Sequence, residues 1–263
     1  MPFQKQSLHD KMPEFKADIS RCRVKICGIT SPETAVQCFT AGADMIGMIH
    51  YPPSPRHIGI GQIRDILDAV VPFRKQGRKT VLVVVDGLPA AELFKKADDR
   101  LDFVQLHGSP AQTAKLEKQI SIPVIRAVRD RGTFDQLLAQ PEHAGSLQSA
   151  SDLYLLEMSH GLLPGGNGAA WDWSAAKPFC ERYPAFLAGG ITPENVLRAV
   201  VAASPFGVDV SSGVEVSPGV KDLVKVQKLI TKVKREGDER SDGTDICSET
   251  HGRDGIHQAS SKS

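Results

Sequence analysis

The chain has 263 residues, of which 41% are hydrophobic and 24% charged, as in an ordinary soluble globular protein. Its 32 basic residues nearly balance its 31 acidic residues, and the formal net charge of +1 argues against a nucleic-acid or anionic-membrane partner. No apolar run approaches the roughly 18 residues of a transmembrane helix, and the amino terminus lacks the apolar stretch of a secretory signal, so the sequence predicts a cytoplasmic protein.

Eight short, almost continuously apolar segments recur along the chain, which is typical of parallel strands that are covered on both faces. These predicted strands are residues 24–29, 45–51, 80–86, 102–107, 123–128, 153–158, 185–191 and 207–214. Helical patterns alternate with them at residues 61–72, 89–98, 109–120, 134–140, 172–182 and 222–236. Two further helices are predicted to begin at Ser31-Pro32-Glu33 and Thr192-Pro193-Glu194, each with an N-cap, a first-turn proline and an acid.

Eight successive strand–helix units favour the α/β class, as a single closed (β/α)8 TIM barrel, over an open doubly wound sheet. An open sheet that binds dinucleotides usually carries a GxGxxG loop after its first strand, and CGIT at 27–30 is no such loop. We predict an amino-terminal extension at 1–22, the barrel at 23–237 and a polar, disordered tail at 238–263. The five cysteines have no CxxC spacing and predict reduced thiols.

A barrel of this type forms its active site at the carboxyl ends of its strands, so the residues there are candidates for function. Cys27 ends the first predicted strand and Glu157 lies near the end of the sixth, which is otherwise apolar. A carboxyl group there must be paired or hold a raised pKa suited to proton donation, and a thiol can act as its partner base. From position alone, a structural role is an equal alternative for both groups.

Small residues after the last two strands predict a phosphate site, because their backbone N–H groups can approach an anion closely. The candidates are Gly189, Gly190, Ser211, Ser212 and Gly213, although glycines that serve tight turns would give the same pattern. His107 and Asp209, at the ends of the fourth and eighth strands, are further substrate-binding candidates. The possible ligands His50, Asp86, His107 and Glu157 are dispersed, so we expect neither a metal nor a cofactor.

In order and spacing, several of these motifs resemble those of the phosphoribosylanthranilate isomerase family of tryptophan biosynthesis, over about residues 24–232. They are VKICGIT at 24–30, GADMIGMIHYPPSPRHI at 42–58, FVQLHG at 103–108, GGNG at 165–168 followed by WDW, LAGGITPENV at 187–196 and DVSSGVEVSPGVKD at 209–222. The resemblance implies an aldose–ketose isomerase that performs an Amadori rearrangement on a phosphosugar without a cofactor. It also implies that Cys27 is the base, that Arg56 holds the anthranilate carboxylate and that the last two loops hold the 5′-phosphate.

The sequence departs from the family pattern at four positions. Glu157 stands where the family has an aspartate as general acid, Asn167 where it has a threonine, and His50 and Val84 where phenylalanine is common. A longer acid can protonate the same atom, which favours the family activity. The same substitutions are also compatible with a paralogue that performs other acid–base chemistry, such as isomerisation, bond cleavage or hydrolysis, or with a non-catalytic binder of a phosphorylated ligand. The sequence predicts no oligomeric state.

Overall fold

The computed structural model describes residues 22–85, 100–117, 120, 122–139, 153–157 and 171–241. The barrel strands are β1 Arg23–Cys27, β2 Met45–His50, β3 Lys79–Val85, β4 Phe103–His107, β5 Val124–Val128, β6 Leu153–Leu156, β7 Ala185–Leu187 and β8 Gly207–Val210. They are parallel and form a closed barrel in chain order, in which β8 pairs with β1. The predicted single barrel is therefore confirmed.

Helices follow the strands and cover the outside of the barrel. They are α1 Pro32–Thr40, α2 Ile60–Ala69, α3 Val71–Arg74, α4 Pro110–Glu117, α5 Arg131–Ala139, α6 Lys177–Cys180, α7 Val196–Ala203 and α8 Leu223–Ser241. Short 3-10 helices span Trp173–Ala176 and Ser212–Val214, and an antiparallel pair, β9 Glu215–Ser217 and β10 Val220–Lys221, follows the second of these. In the described parts of the chain, no helix has the length and apolarity needed to cross a bilayer.

Alternation along each strand separates two apolar clusters. Side chains such as Ile26, Met48 and Leu106 face outward and pack under the helices, whereas the alternate set fills the interior of the barrel. The interior cluster consists of Cys27, Met45, Val81, Val83, Phe103, Ile125, Leu153, Leu155, Phe186, Ala188 and Phe206. A packed interior leaves the carboxyl ends of the strands as the place where a ligand can enter.

The predicted helix start at Ser31 is confirmed. The Ser31 side chain accepts a hydrogen bond from the backbone N–H of Thr34 (3.2 Å), and Pro32 occupies the first helical turn, where its missing N–H costs nothing.

The predicted helix start at Thr192 is wrong, because α7 begins at Val196. The Asn195 side chain accepts a hydrogen bond from the N–H of Thr192 and donates one to the carbonyl of Gly190, both at 2.8 Å. Residues 192–195 are thereby held in a turn that belongs to the loop after β7.

Strands β7 and β8 are shorter than predicted, ending at Leu187 and Val210 rather than at residues 191 and 214. Gly189 and Gly190 have φ values of +89° and +65°, which remove that segment from the extended region. The apolar runs therefore continue beyond the strands into the loops above them.

At the ends of the chain, α8 continues to Ser241, four residues beyond the barrel boundary expected at 237. The predicted amino-terminal extension and most of the predicted tail lie outside the described residues, as do the predicted helix at 89–98, Asp86 and the GGNG segment.

Candidate active site

A cavity of about 230 Å³ opens at the carboxyl end of the barrel. All ten residues that the sequence singled out for the site line it: Cys27, Arg56, His107, Glu157, Gly189, Gly190, Asp209, Ser211, Ser212 and Gly213. They come from β1, β4 and β8 and from the segments after β2, β6, β7 and β8. The closed barrel therefore brings together groups that are up to 186 positions apart, between Cys27 and Gly213.

The Cys27 thiol lies at the floor of this cavity, beside two charged groups of the barrel interior. Lys25 is fully buried on the same face of β1, and its Nζ donates a hydrogen bond to Asp209 Oδ1 (2.8 Å) on β8. Gly47, the neighbour of Cys27 on β2, leaves room for both side chains: a Cβ at Gly47 would lie 2.8 Å from Cys27 Sγ and 3.2 Å from Lys25 Nζ.

Burial raises the pKa of the Cys27 thiol above its ordinary value, because a thiolate loses its hydration there. The ammonium groups of Lys25 and Lys221 act in the opposite direction, while the Asp209 carboxylate adds to the increase. Burial disfavours the Lys25 ammonium as well, but Asp209 and Cys27 outweigh this and raise the pKa of Lys25. The resting site at neutral pH therefore holds a protonated thiol next to a charged ammonium.

Glu157 lines the cavity directly after β6 and is 7% exposed. Its backbone N–H donates to the carbonyl of Val128 (3.0 Å), which fixes the end of β6 against β5. The Arg129 guanidinium lies beside the carboxylate, with Nε 3.8 Å from Glu157 Oε2. The Glu157 carboxylate thus lines the cavity at the end of β6, whereas the Cys27 thiol lines it at the end of β1.

Arg56 reaches the cavity from the loop after β2. It is held by the carboxylate of Glu215, which was not predicted from the sequence. Its Nε and Nη2 donate to Glu215 Oε1 and Oε2, at 2.9 and 2.6 Å, and Lys221 Nζ donates to Glu215 Oε1 at 2.6 Å. The hydrogen bonds that Arg56 donates to Glu215 raise the pKa of Arg56. Burial acts to raise the pKa of Glu215, but Arg56 and Lys221 outweigh burial and lower this pKa.

The loops after β7 and β8 pack against each other at the phosphate site predicted from the sequence. A Cβ at Gly213 would lie 1.9 Å from the carbonyl oxygen of Ile191, so only glycine permits this approach. Gly189 and Gly190 have positive φ, and Ser211 and Ser212 lie opposite them on the cavity wall. The result is a rim of glycines and serines, and residues this small allow backbone N–H groups and hydroxyls to approach an anion such as phosphate.

His107 is a neutral side chain at the end of β4. Burial, together with the positive charges of Arg129 and Lys25, lowers its pKa to about 3. The side-chain amide of Gln105 donates to His107 Nε2 at 2.7 Å. This imidazole therefore offers the substrate polar contacts but no positive charge at neutral pH.

Two of the positions that depart from the family pattern lie away from the cavity. They are His50 and Val84, and the cavity is lined by their neighbours Ile49, Val83 and Val85. His50 Nδ1 instead contacts the carbonyl of Ile58 (2.9 Å), and Val84 packs in the outer cluster. Alternation along a strand explains this, since adjacent residues face opposite sides.

Three charged residues of the site were not predicted from the sequence: Lys25, Glu215 and Lys221. Lys25 had a detectable signal, because it precedes Cys27 by two positions on one strand and so shares its face. Glu215 and Lys221 had none, since their pairing depends on the β9–β10 turn. Among the described residues, no three His, Cys, Asp or Glu side chains cluster closely enough to hold a metal ion.

Comparisons with known proteins identify one family. A family model described as N-(5'phosphoribosyl)anthranilate (PRA) isomerase matches residues 24–232. The N-(5'-phosphoribosyl)anthranilate isomerase of Desulfatibacillum aliphaticivorans is 37% identical over 217 residues, which cover 82% of this chain and 94% of that relative. The isomerase of Cellvibrio japonicus (strain Ueda107) is 38% identical over 210 residues, or 79% of this chain and 91% of that relative.

Solved structures give the same result. The crystal structure of phosphoribosyl anthranilate isomerase from Thermotoga maritima has a TM-score of 0.67 and 32% identity, covering 81% of this chain and 99% of that one. A crystal structure of phosphoribosyl anthranilate isomerase in complex with reduced 1-(o-carboxyphenylamino)-1-deoxyribulose 5-phosphate has a TM-score of 0.64, 32% identity and the same coverage.

The closed barrel, with ionisable side chains and a loop of small residues around one cavity, defines the chain as a TIM-barrel enzyme. The matches to relatives and solved structures narrow this class to the isomerases. The chain belongs to the N-(5'-phosphoribosyl)anthranilate isomerase family.

Proposed function

We propose that this barrel converts N-(5'-phosphoribosyl)anthranilate into 1-(2-carboxyphenylamino)-1-deoxyribulose 5-phosphate, with Cys27 as the base and Glu157 as the acid. The observation that supports these roles is that a thiol and a carboxyl group, on β1 and after β6, line one cavity with the glycine–serine rim. The reaction is an Amadori rearrangement, which moves protons and needs no redox cofactor.

The first step is opening of the ribose ring. The Glu157 carboxyl group donates its proton to the ring oxygen, and the nitrogen lone pair forms a C1=N bond as the C1–O bond breaks. The product of this step is a protonated Schiff base. Arg129, with Nε 3.8 Å from the carboxylate, is placed to stabilise the Glu157 anion that remains.

The second step is removal of the proton on C2. The Cys27 thiolate takes this proton, and the C–H electron pair moves to C1–C2 while the C=N pair returns to nitrogen. The enolamine that results then tautomerises to the 2-ketone by losing its hydroxyl proton and gaining one at C1. Because burial raises the pKa of the thiol, the thiolate is a scarce but strong base at neutral pH.

The two ends of the substrate carry negative charge and match the two ends of the cavity. The 5'-phosphate would accept hydrogen bonds from the loops after β7 and β8, whose conformation only glycine permits at Gly213. The anthranilate carboxylate would be bound by Arg56, whose Nη1 makes no hydrogen bond to a described residue while Glu215 occupies Nε and Nη2. His107 and Asp209, on the walls between, would contact the sugar.

Glutamate at 157 has one methylene more than the aspartate of the family, which moves the carboxyl group by roughly 1 Å; a misplacement of that order can cost about a hundredfold in rate. The neighbouring Arg129 side chain offers a fixed partner for the longer acid. We therefore expect that this site is adjusted to glutamate.

The test measures whether the pure, folded protein converts its proposed substrate. That substrate is formed in the assay from anthranilate and phosphoribosyl pyrophosphate, and its conversion is followed as the loss of its fluorescence. Cys27→Ser and Glu157→Gln should each lower kcat at least about a hundredfold, whereas Cys180→Ser, a half-buried cysteine away from the cavity, should keep it. Glu157→Asp should not exceed the parent. Absence of turnover by the parent would refute the proposed activity, and a sharp gain with Glu157→Asp would indicate that the site is adjusted to a different substrate.

A further inference from the structure

Lys25 is a buried cation to which the proposed reaction gives no step. It is 0% exposed, and it precedes Cys27 by two residues on β1, so both side chains enter the barrel interior. Burying an ammonium without a compensating charge is costly, and lysine is therefore rarely fully buried unless it is paired. A lysine at this position needs a physical reason.

The backbone around Lys25 is arranged so that its ammonium lies beside the thiol. Gly47 pairs with Cys27 in the β1–β2 ladder, and any Cβ there would collide with Sγ at 2.8 Å and crowd Nζ at 3.2 Å. Both atoms thus occupy the space that a side chain at Gly47 would otherwise fill. Glycine on this strand is what allows the ammonium and the sulfur to lie side by side.

Asp209 fixes the ammonium from the opposite side. It pairs with Lys25 in the β1–β8 ladder, and its Oδ1 accepts a hydrogen bond of 2.8 Å from Nζ. An ammonium group has three donors, so after this bond it still has donors for the sulfur. The carboxylate therefore holds the position of Lys25 without consuming its capacity to contact Cys27.

We propose that Lys25 is a positioning residue of this site, whose ammonium, anchored by Asp209, is the counter-charge that stabilises the Cys27 thiolate. The inference rests on the proposed role of Cys27 as the base. When the thiolate takes the C2 proton, its charge disappears while the Lys25–Asp209 pair remains intact. The alternative is that Lys25 only neutralises Asp209 and has no effect on the thiol.

Other charged groups also act on this thiol and must be kept constant in any test. Lys221 lies close enough to lower the pKa of Cys27, Asp209 raises it, and Arg56 interacts with the sulfur electrostatically. Asp209 lies on β8, Lys221 on β10 and Arg56 in the loop after β2, whereas Lys25 shares the strand of Cys27. Replacing Lys25 alone leaves those groups in the chain.

The test measures the rate at which iodoacetamide alkylates Cys27 as a function of pH, followed by mass spectrometry of the Cys27 peptide in the full-length protein. Lys25→Met should move the midpoint of the alkylation profile up by about one pH unit or more, because an opposite charge at close range shifts a pKa by that amount. Lys25→Arg should restore most of the shift. Lys234→Met, which removes an ammonium paired with Asp44 at the amino end of the barrel, should leave the midpoint unchanged.

Lys25→Met leaves a buried Asp209 without its partner, which destabilises the barrel, so a second variant is included. Lys25→Met with Asp209→Asn removes both charges and should still titrate above the parent, since the ammonium affects the sulfur more strongly than the carboxylate does. A midpoint equal to that of the parent in either folded variant would overturn the inference. Because alkylation needs no substrate, this outcome is separate from the turnover assay: an inactive parent with a shifted midpoint would refute the proposed activity and retain the role of Lys25.

Discussion

Glu215 binds Arg56 through two parallel hydrogen bonds, from Nε to Oε1 at 2.9 Å and from Nη2 to Oε2 at 2.6 Å. This bidentate pair fixes the plane of the guanidinium group as well as its position. Lys221 adds a third donor to the same carboxylate. The arginine that we propose as the carboxylate-binding group is therefore oriented before any substrate arrives.

We expect Glu215→Gln to raise KM about tenfold or more while kcat changes less, because the guanidinium loses its orientation and the binding contact loses its geometry. Steady-state kinetics across substrate concentration will separate the two constants. The variant should also be less stable, by about 3–5 kcal/mol, since Arg56 and Lys221 lose their common counter-charge.

The matched control is Glu194→Gln, which removes an exposed carboxylate that pairs with Lys228 outside the cavity. It should change neither KM nor kcat. A Glu215→Gln protein with an unaltered KM would show that Arg56 is oriented without Glu215 or does not bind the substrate.

Gly47→Ala should lower kcat by about a hundredfold. The methyl group would lie 2.8 Å from Cys27 Sγ and 3.2 Å from Lys25 Nζ, so the base must move, and a displacement of about 1 Å at a reacting group can have an effect of this size. Gly61→Ala, at a helix position with nothing within 4 Å of the new Cβ, should keep full activity. Equal activity of the two variants would contradict the crowded position assigned to the thiol.

The pH dependence of kcat/KM should follow the thiol. Burial raises the pKa of Cys27, so the thiolate is a minor species at neutral pH, and its fraction grows about tenfold for each pH unit below that pKa. The parent enzyme needs a protonated Glu157 as well as a thiolate, and because the first fraction falls with pH while the second grows, the rise should be seen in Glu157→Gln, whose residue 157 does not titrate. In that variant we expect the residual kcat/KM to rise from about pH 6 toward about pH 9. Adding His57→Gln to it controls for an imidazole near the cavity and should keep the rise, and a Glu157→Gln profile that is flat or falls over this range would contradict a thiolate base.

His107 should make the barrel sensitive to acid. Its pKa in the folded protein is about 3, below the ordinary value of 6.5, so between these values the unfolded chain binds a proton that the folded chain does not. The free energy of unfolding should therefore fall as pH decreases through this window, by about 1.4 kcal/mol per pH unit from this residue. Urea unfolding of the parent and of His107→Gln at pH 7 and pH 5 will measure it, and the difference between the two proteins should be about 2 kcal/mol smaller at pH 5. An unchanged difference would indicate that His107 is protonated in the fold.

The hydrophobic pattern was enough to predict the barrel and to place most strands within a residue or two of their observed positions. It failed in the loops after β7 and β8, where apolar residues continue beyond the strands. The side chain of Asn195 and the positive φ of Gly189 and Gly190 decide the chain path there. Neither feature has a periodic signal that a sequence pattern can detect.

Position at the end of a strand was enough to nominate Cys27 and Glu157, because in a closed parallel barrel every strand ends at the same mouth. It could not distinguish which residues face that mouth. His50 was considered as a possible ligand but lies off the cavity, whereas its neighbour Ile49 lines it. Strand alternation shows which residues face the cavity and which face the helices, but only after the register of the barrel is known.

The sequence by itself determined the order of strands and helices, the kinds of groups at the strand ends and the resemblance to one family, because these depend on local pattern and composition. Only the tertiary structure decided the charge around those groups. Lys25 meets Asp209 because β1 closes on β8, and Arg56 meets Glu215 because the loop after β2 and the β9–β10 pair converge beside the cavity. The physical reason is that Coulombic interaction depends on distance in space, and distance in space is fixed by closure of the barrel rather than by separation along the chain.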